Sequence, residues 1–223
     1  MTDQQIDASA APVITHAFFA DARARLTLDV PPGLTDPNAP VTRGDLDLDP
    51  TMWERAGVAA TRPAAVLIPV VDRAEPGIIL TMRTSDLSSH AGQIAFPGGK
   101  IDKTDASPLA AALREAHEEI GLDAALIEPL GYLDLYFTFS GFRILPVVAR
   151  VKPTYQLTVN PSEVADAFEV PLDFLMRPEN HQRHARDWKG IQRQYYAMPY
   201  QERYIWGVTA GILRNLYERV YGT

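Results

Sequence analysis

Two apolar periods alternate along this chain. Residues 64–71 (AAVLIPVV) and 78–83 (IILTMR) are short continuous apolar runs separated by a turn around Pro76 and Gly77, and they predict buried strands. Residues 90–97 read as an extended lead into a glycine pair. Leu109, Leu113, Ala116 and Ile120 then recur at helical spacing and predict a helix with that stripe inward. Residues 130–137 and 143–151 flank Ser140 and Gly141 and predict a hairpin. A strand over residues 166–170 passes through Pro171 into a short helical turn, DFLM. Residues 177–189 read as a polar loop, residues 192–199 as a strand, and residues 204–221 as a long helix whose Tyr204, Trp206 and Tyr217 face the core or a dimer partner in preference to forming an adenine platform. Near the start, residues 16–28 predict a short helix with Phe18, Phe19, Ala22 and Leu26 inward. Strands on both sides of a central helix, with another helix at the end, indicate an α+β or mixed-sheet sandwich without fixing its topology.

The ends of the central helix are marked. Ser107 suits the N-cap and Pro108 the first helical position, where a missing N–H costs nothing. Gly121 suits a left-handed C-cap. Residues 1–12 are polar and alanine-rich and predict disorder. Residues 31–63 carry six prolines and four aspartates and read as an irregular arm wrapping a neighbour or a second subunit. The division expected is an N-terminal extension over residues 1–63 and a main domain over residues 64–223.

Composition narrows the function. The chain has 223 residues, 46% of them hydrophobic, enough for one domain with a sizeable core. A net charge of −7 argues against nucleic-acid binding and an anionic-membrane anchor. With no cysteine, disulfides, thiolate catalysis and thiolate metal sites are excluded. No apolar run approaches the ~20 residues of a membrane span, and the N-terminus reads poorly as a signal peptide. A cytoplasmic location is the expectation.

The chemistry gathers on the central helix. Glu115, Glu118 and Glu119 lie at i, i+3 and i+4 and share a face, where like charges repel. A divalent cation among them removes that cost, and an all-oxygen donor set selects Mg²⁺ or Mn²⁺, the partners of phosphate substrates. Glu115 and Glu119, one turn apart, are the best ligands; Glu118 lies to the side and serves a second ion or a bound water. Arg114 orients the carboxylates. Ala111 and Ala112 leave room for a bulky ligand, and Gly98 and Gly99 let the backbone approach it. Asp102 and Asp105 order the loop before the helix. Arg83 and His90 are candidate phosphate contacts, the first with a competing reading as an edge-strand surface charge and the second with a competing reading as a structurally packed histidine. His117 reads as structural.

The stretch from Gly99 to Leu122 resembles the Nudix box, GX5EX7REUXEEXGU. Its second half matches as Arg114, Glu115, Ala116, His117, Glu118, Glu119, Ile120, Gly121 and Leu122, with Ala116 small for its position. The first half departs: Asp105 stands in place of the first glutamate, and one extra residue precedes Arg114. That pattern is similar to the coenzyme A diphosphatase branch. So are Leu80 to Arg83, the block His90, Gly92, Gln93, Phe96, Pro97, Gly98 and Gly99, and the run from Trp206 to Ile212. Ser88 stands where that branch often carries a basic residue.

The resemblance implies an α/β/α sandwich with a mixed sheet. It also implies Mg²⁺- or Mn²⁺-dependent hydrolysis of the diphosphate of coenzyme A or a derivative, giving 3′,5′-ADP and 4′-phosphopantetheine. Arg83, His90, Gln93, Phe96, Gly98 and Gly99 are then the substrate-binding set. Glu163, in a loop just before a strand, is the candidate general base, with Glu118 and Arg114 beside it in the catalytic set. A homodimer is the expected assembly, with no nucleic-acid partner. The rival readings are a hydrolase of ADP-ribose or NADH and a non-catalytic nucleotide sensor. Isopentenyl diphosphate isomerase is disfavoured because its cysteine acid is missing.

Overall fold

A computed structural model describes residues 17–36, 38–40, 43–45, 47–48, 62–84, 92–188 and 191–222. The expected disorder of residues 1–12 and the contact assigned to His90 lie outside these residues. Helix α1 (Phe18–Arg25) precedes a mixed sheet built from β1 (Arg62–Val71), β2 (Gly77–Arg83), β3 (Ile94–Ala95), β4 (Gly98–Lys100), β5 (Ile127–Tyr132), β6 (Tyr136–Phe137), β7 (Phe142–Val151) and β8 (Val164–Pro171). Helix α2 (Pro108–Ile120) follows β4, and the short α3 (Leu172–Leu175) follows β8. A second sheet joins β9 (Gln182–Trp188), β10 (Ile191–Tyr200) and β11 (Arg203–Trp206), and α4 (Val208–Tyr221) closes the chain.

The main sheet runs β3-β2-β1-β7-β5, with β8 paired to β2, β4 to β1 and β6 to β7. β1 and β7 pair in parallel over their full length, from Arg62 opposite Phe142 to Val71 opposite Val151. β1 is apolar from Pro63 onward, and so is β7 apart from Arg143 and Arg150, because both faces of the sheet are covered. Alternate residues part into two cores. Leu67, Ile79, Leu145 and Val147 meet Ala111, Ala112, Ala116 and Ile120 of α2. Ile68, Ile78, Leu80 and Val148 meet Phe18 and Ala22 of α1 and Ile212, Leu213 and Leu216 of α4. Each fully buried aliphatic side chain stabilises by about 1.5–3 kcal/mol. This is the expected α/β/α sandwich.

Several sequence-based expectations need correction. The polar stretch at residues 177–189 contains a strand: β9 pairs antiparallel with β10 from Gln182 opposite Ala197 to Trp188 opposite Ile191. The hydrogen-bond ladder, not apolar alternation, holds it. The terminal helix is shorter than expected. Tyr204 and Trp206 lie on β11, and the chain turns into α4 at Gly207 with a φ of 64°. The described parts of the proline-rich arm fold back on this same chain. Leu34 is buried, Gly44 bridges to Phe137, and Arg143 donates to the Gly33 and Asp36 carbonyls. Ala111 and Ala112 are wholly buried against the sheet, so they leave no ligand space. The buried face of α2 is rotated from the expected stripe: Leu109 and Leu113 sit at its margin, and Glu119 lies within it. His117 is exposed rather than packed.

Candidate active site

The site forms where the two ends of α2 meet the main sheet. At the N-terminus the Ser107 hydroxyl accepts from the Ala110 N–H at 3.1 Å. At the C-terminus Gly121 sits at φ 67° and its N–H reaches the Ala116 and His117 carbonyls. Both caps match the sequence-based reading. The loop after β7 then docks on the helix end: Thr158 N–H donates to Ile120 O and Asn160 N–H to Glu119 O, both at 2.8 Å. Asn160 O accepts from the Glu163 N–H at 3.1 Å, and Thr84 N–H donates to Glu163 O. That chain of backbone bonds sets Glu163 beside the glutamates of α2, close enough for its charge to raise the carboxyls of Glu115 and Glu119.

The three helical carboxylates differ sharply. Glu119 is 3% exposed; its Oε2 accepts from Gly98 N–H at 3.1 Å and its Oε1 lies 3.8 Å from Arg83 Nη1. Burial pushes its carboxyl up to about 7, against the lowering effect of the Gly98 N–H and Arg83. Glu115 is half-buried, and burial raises it too, opposed by Arg114. Glu118 is exposed.

Arg114 organises this edge. Its Nε and Nη2 each donate to Asp105 at 3.0 Å, Nη1 donates to Glu115 and Glu118 at 2.9 Å, and Nη2 reaches the Lys100 carbonyl at 3.3 Å. The paired contact holds the Asp105 carboxyl below its ordinary range. Asp105 also accepts from Asp102 N–H at 2.8 Å, so it ties the loop to the helix.

The two glycines do different work. Gly98 has a φ of 150°, and a Cβ there would stand 2.5 Å from Ala65 O and 2.6 Å from Val66 Cα. The atoms nearest to a Cβ on Gly99 would be those of the Glu115 carboxylate, at 2.6–2.8 Å. Gly98→Ala is therefore expected to destabilise the fold by about 1–3 kcal/mol. Gly99→Ala is expected to keep the melting temperature within a few degrees while displacing Glu115 and lowering turnover about tenfold or more. Thermal melts and steady-state rates on the pair check this; equal melting losses in both would show that Gly99 is structural.

The other candidates are dispersed. Arg83 ends β2, flanked by the Gln93 backbone and by β8, so it is not on an edge strand. Gln93 is half-buried beside it. Phe96 is 4% exposed within the core shared with α4, which removes its side chain from direct substrate contact. Asn160, which links Glu119 to Glu163, was not among the sequence candidates. Its signal was legible in Asn160-Pro161-Ser162: the Asn160 side-chain oxygen accepts from Ser162 N–H at 3.2 Å, a side-chain turn typical of this residue type.

The donor set suits a hard divalent cation: carboxylate oxygens, no sulfur, and a buried glutamate with, among the described residues, one hydrogen-bond donor, the Gly98 N–H. Among the described residues no three acidic or histidine side chains close on one point as they lie, because Glu115 and Glu118 are both held on Arg114. The Arg114 contacts are made by flexible side-chain ends, whereas the backbone placement of Glu115, Glu119 and Glu163 is set by α2 and its docked loop.

The NUDIX domain family profile matches residues 61–190. A protein of Enterobacter sp. (strain 638) named "Uncharacterized Nudix hydrolase NudL" is 43% identical over 155 residues, covering 70% of this chain and 81% of the relative. A protein of the same name from Escherichia coli (strain K12) is 41% identical over 157 residues, with the same shares covered. Among solved structures, the Nudix hydrolase RenU of M. smegmatis aligns with a TM-score of 0.42 and 23% identity over 49% of this chain and 70% of that one.

Proposed function

Because the chain belongs to the Nudix hydrolases, we propose that it cleaves the diphosphate of coenzyme A or a derivative, with Glu115 and Glu119, aided by Glu118, holding Mg²⁺ or Mn²⁺. Nudix hydrolases act on small nucleoside diphosphate derivatives and generally use such ions. The observation that carries the site reading is the placing of Glu119 on the Gly98 N–H of β4 and of Glu115 over Gly99, with Arg83 alongside and Glu163 near enough for its charge to act on both glutamates. A cation held there polarises phosphate oxygens and lowers the pKa of bound water. Glu163 stands outside the helix and accepts the proton of the attacking water. Arg83 neutralises phosphate charge. Arg114, committed to Asp105, Glu115 and Glu118, keeps the carboxylates oriented and stays off the substrate.

Support for coenzyme A comes from two blocks that resemble that branch and lie together. The Thr209 hydroxyl donates to the Ile94 carbonyl at 2.8 Å, and β11 packs beside β3. The run from Trp206 to Ile212 is thereby joined to the strand entering Gly98. Among the described residues no helix is long and apolar enough to cross a membrane.

A panel of coenzyme A, acetyl-coenzyme A, ADP-ribose and NADH with Mg²⁺ or Mn²⁺, read by product mass, tests the reading. Coenzyme A is expected to give 3′,5′-ADP and 4′-phosphopantetheine at the highest kcat/KM. A higher value for ADP-ribose would transfer the assignment to that substrate and leave the hydrolase standing.

A further inference from the structure

The proposed proton acceptor sits on a loop, where an unheld side chain samples several rotamers and loses its aim. Among the described residues, the hydrogen bond to the Glu163 carboxylate comes from Asn160 Nδ2, 3.5 Å from Oε1, and no cation pairs with it. That separation is long for an N–H donor on a carboxylate. The donor's direction is set all the same, because the other end of the amide is held twice.

Ser162 N–H donates to Asn160 Oδ1 at 3.2 Å, and the Ser162 hydroxyl donates to the same atom at 2.7 Å. A backbone N–H can only donate, so the atom facing it is the oxygen, and the NH2 group must point the other way, at Glu163. Pro161 lies between the two residues, with its φ fixed by the ring. The backbone of Asn160 is tied as well. Its N–H donates to Glu119 O at 2.8 Å, and its carbonyl accepts from the Glu163 and Val164 N–H groups at 3.1 and 2.9 Å. One residue thus holds the backbone of the buried glutamate of α2 and the side chain of the loop glutamate.

The turn alone does not account for an asparagine. An aspartate closes the same turn, accepting from Ser162 through a carboxylate oxygen. What asparagine adds is a donor, and it adds no charge beside Glu115 and Glu119, whose carboxyls already feel Glu163. A neutral donor also suits a base better than a cation does. An arginine or lysine on the carboxylate stabilises its charged form and makes it a poorer proton acceptor, whereas an amide orients it at lower cost. One N–H occupies one of the roughly four lone-pair sites of a carboxylate, which leaves Oε2 to take a proton.

We propose that Asn160 is a positioning residue for the reaction: its amide, locked by Ser162, aims the Glu163 carboxylate at the attacking water. This role rests on the reading of Glu163 as the proton acceptor. Asn160 stays off the substrate and acts through Glu163 alone.

Steady-state kinetics of the full chain with Mg²⁺, on whichever of coenzyme A, acetyl-coenzyme A, ADP-ribose and NADH gives the highest kcat/KM, test this with two variants. Asn160→Asp keeps the turn and replaces the donor by a charged oxygen. Asn160→Ser also keeps a turn-forming oxygen, adds no charge, and is too short to reach Glu163. Each is expected to lower kcat by roughly 10–100-fold, as loss of a hydrogen bond that orients a functional group does. KM is expected to stay within about twofold of wild type, and the melting temperature and its Mg²⁺-induced gain within a few degrees. In a Glu163→Gln background either change is expected to cost less than about threefold more, because the group it acts through is already gone. Wild-type kcat in both variants, beside an impaired Glu163→Gln, overturns the role of Asn160 and leaves Glu163 as the base. Losses that multiply with that of Glu163→Gln, or that come with a fall in melting temperature, overturn it too and place Asn160 in loop structure. Wild-type kcat in Glu163→Gln removes the base and the positioning role together.

Discussion

Glu119→Gln is expected to reduce turnover on the order of 10²-fold or more while the protein stays folded. The substitution keeps the shape and the hydrogen bond from Gly98 N–H, since the amide oxygen still accepts. It removes a carboxylate that is 3% exposed and that, among the described residues, has Arg83 as its cationic neighbour at 3.8 Å. Burial already disfavours this charge, as its rise to about 7 shows, so neutralising it does not weaken the fold. The loss must therefore fall on cation binding and catalysis. Thermal melts with and without Mg²⁺ separate the two. Wild type is expected to gain stability as the ion is added, by about RT ln(1 + [L]/Kd), and the variant to lose most of that gain. Wild-type rates in Glu119→Gln would remove the carboxylate from the mechanism.

The second large effect is expected at Glu163. Glu163→Gln should lower kcat by roughly 10²–10⁴-fold, the range for a positioned proton acceptor, and leave the Mg²⁺-induced gain in melting temperature near that of wild type. The contrast with Glu119→Gln is the informative part. Glu163 is off the helix, on the loop whose Asn160 N–H is bonded to Glu119 O at 2.8 Å, and its backbone is pinned by Thr84 and Asn160. A side chain with that support can be changed without moving α2. A loss of less than about threefold would assign Glu163 to loop structure. Loss of ion-induced stabilisation in this variant would instead make it a ligand.

Local rules carried much of this protein into view. The caps at Ser107 and Gly121, the glutamate spacing on α2, the strands β1, β2 and β7 and the hairpin around Gly141 all follow from short-range chemistry: a side-chain acceptor at N-cap, a left-handed glycine, and apolar runs bounded by turns. What escaped depends on contacts distant in sequence. The polar strand β9 carries no apolar period and exists because β10 offers it a ladder. Tyr204 and Trp206 fit a helical stripe by spacing, yet pairing with β10 draws them into β11, and Gly207 delays the helix.

The same division runs through the site. Spacing alone determined that Glu115, Glu118 and Glu119 share one face of a helix. Only tertiary packing decided that they are unequal. The sheet buries Ala112 and Ala116, which turns Glu119 inward beneath Gly98 N–H, leaves Glu118 exposed, and gives Glu115 to Arg114 and the space over Gly99. A carboxylate's environment is set by what surrounds it, and those surroundings come from β2, β4 and the loop before β8, segments that the helix cannot specify from its own sequence.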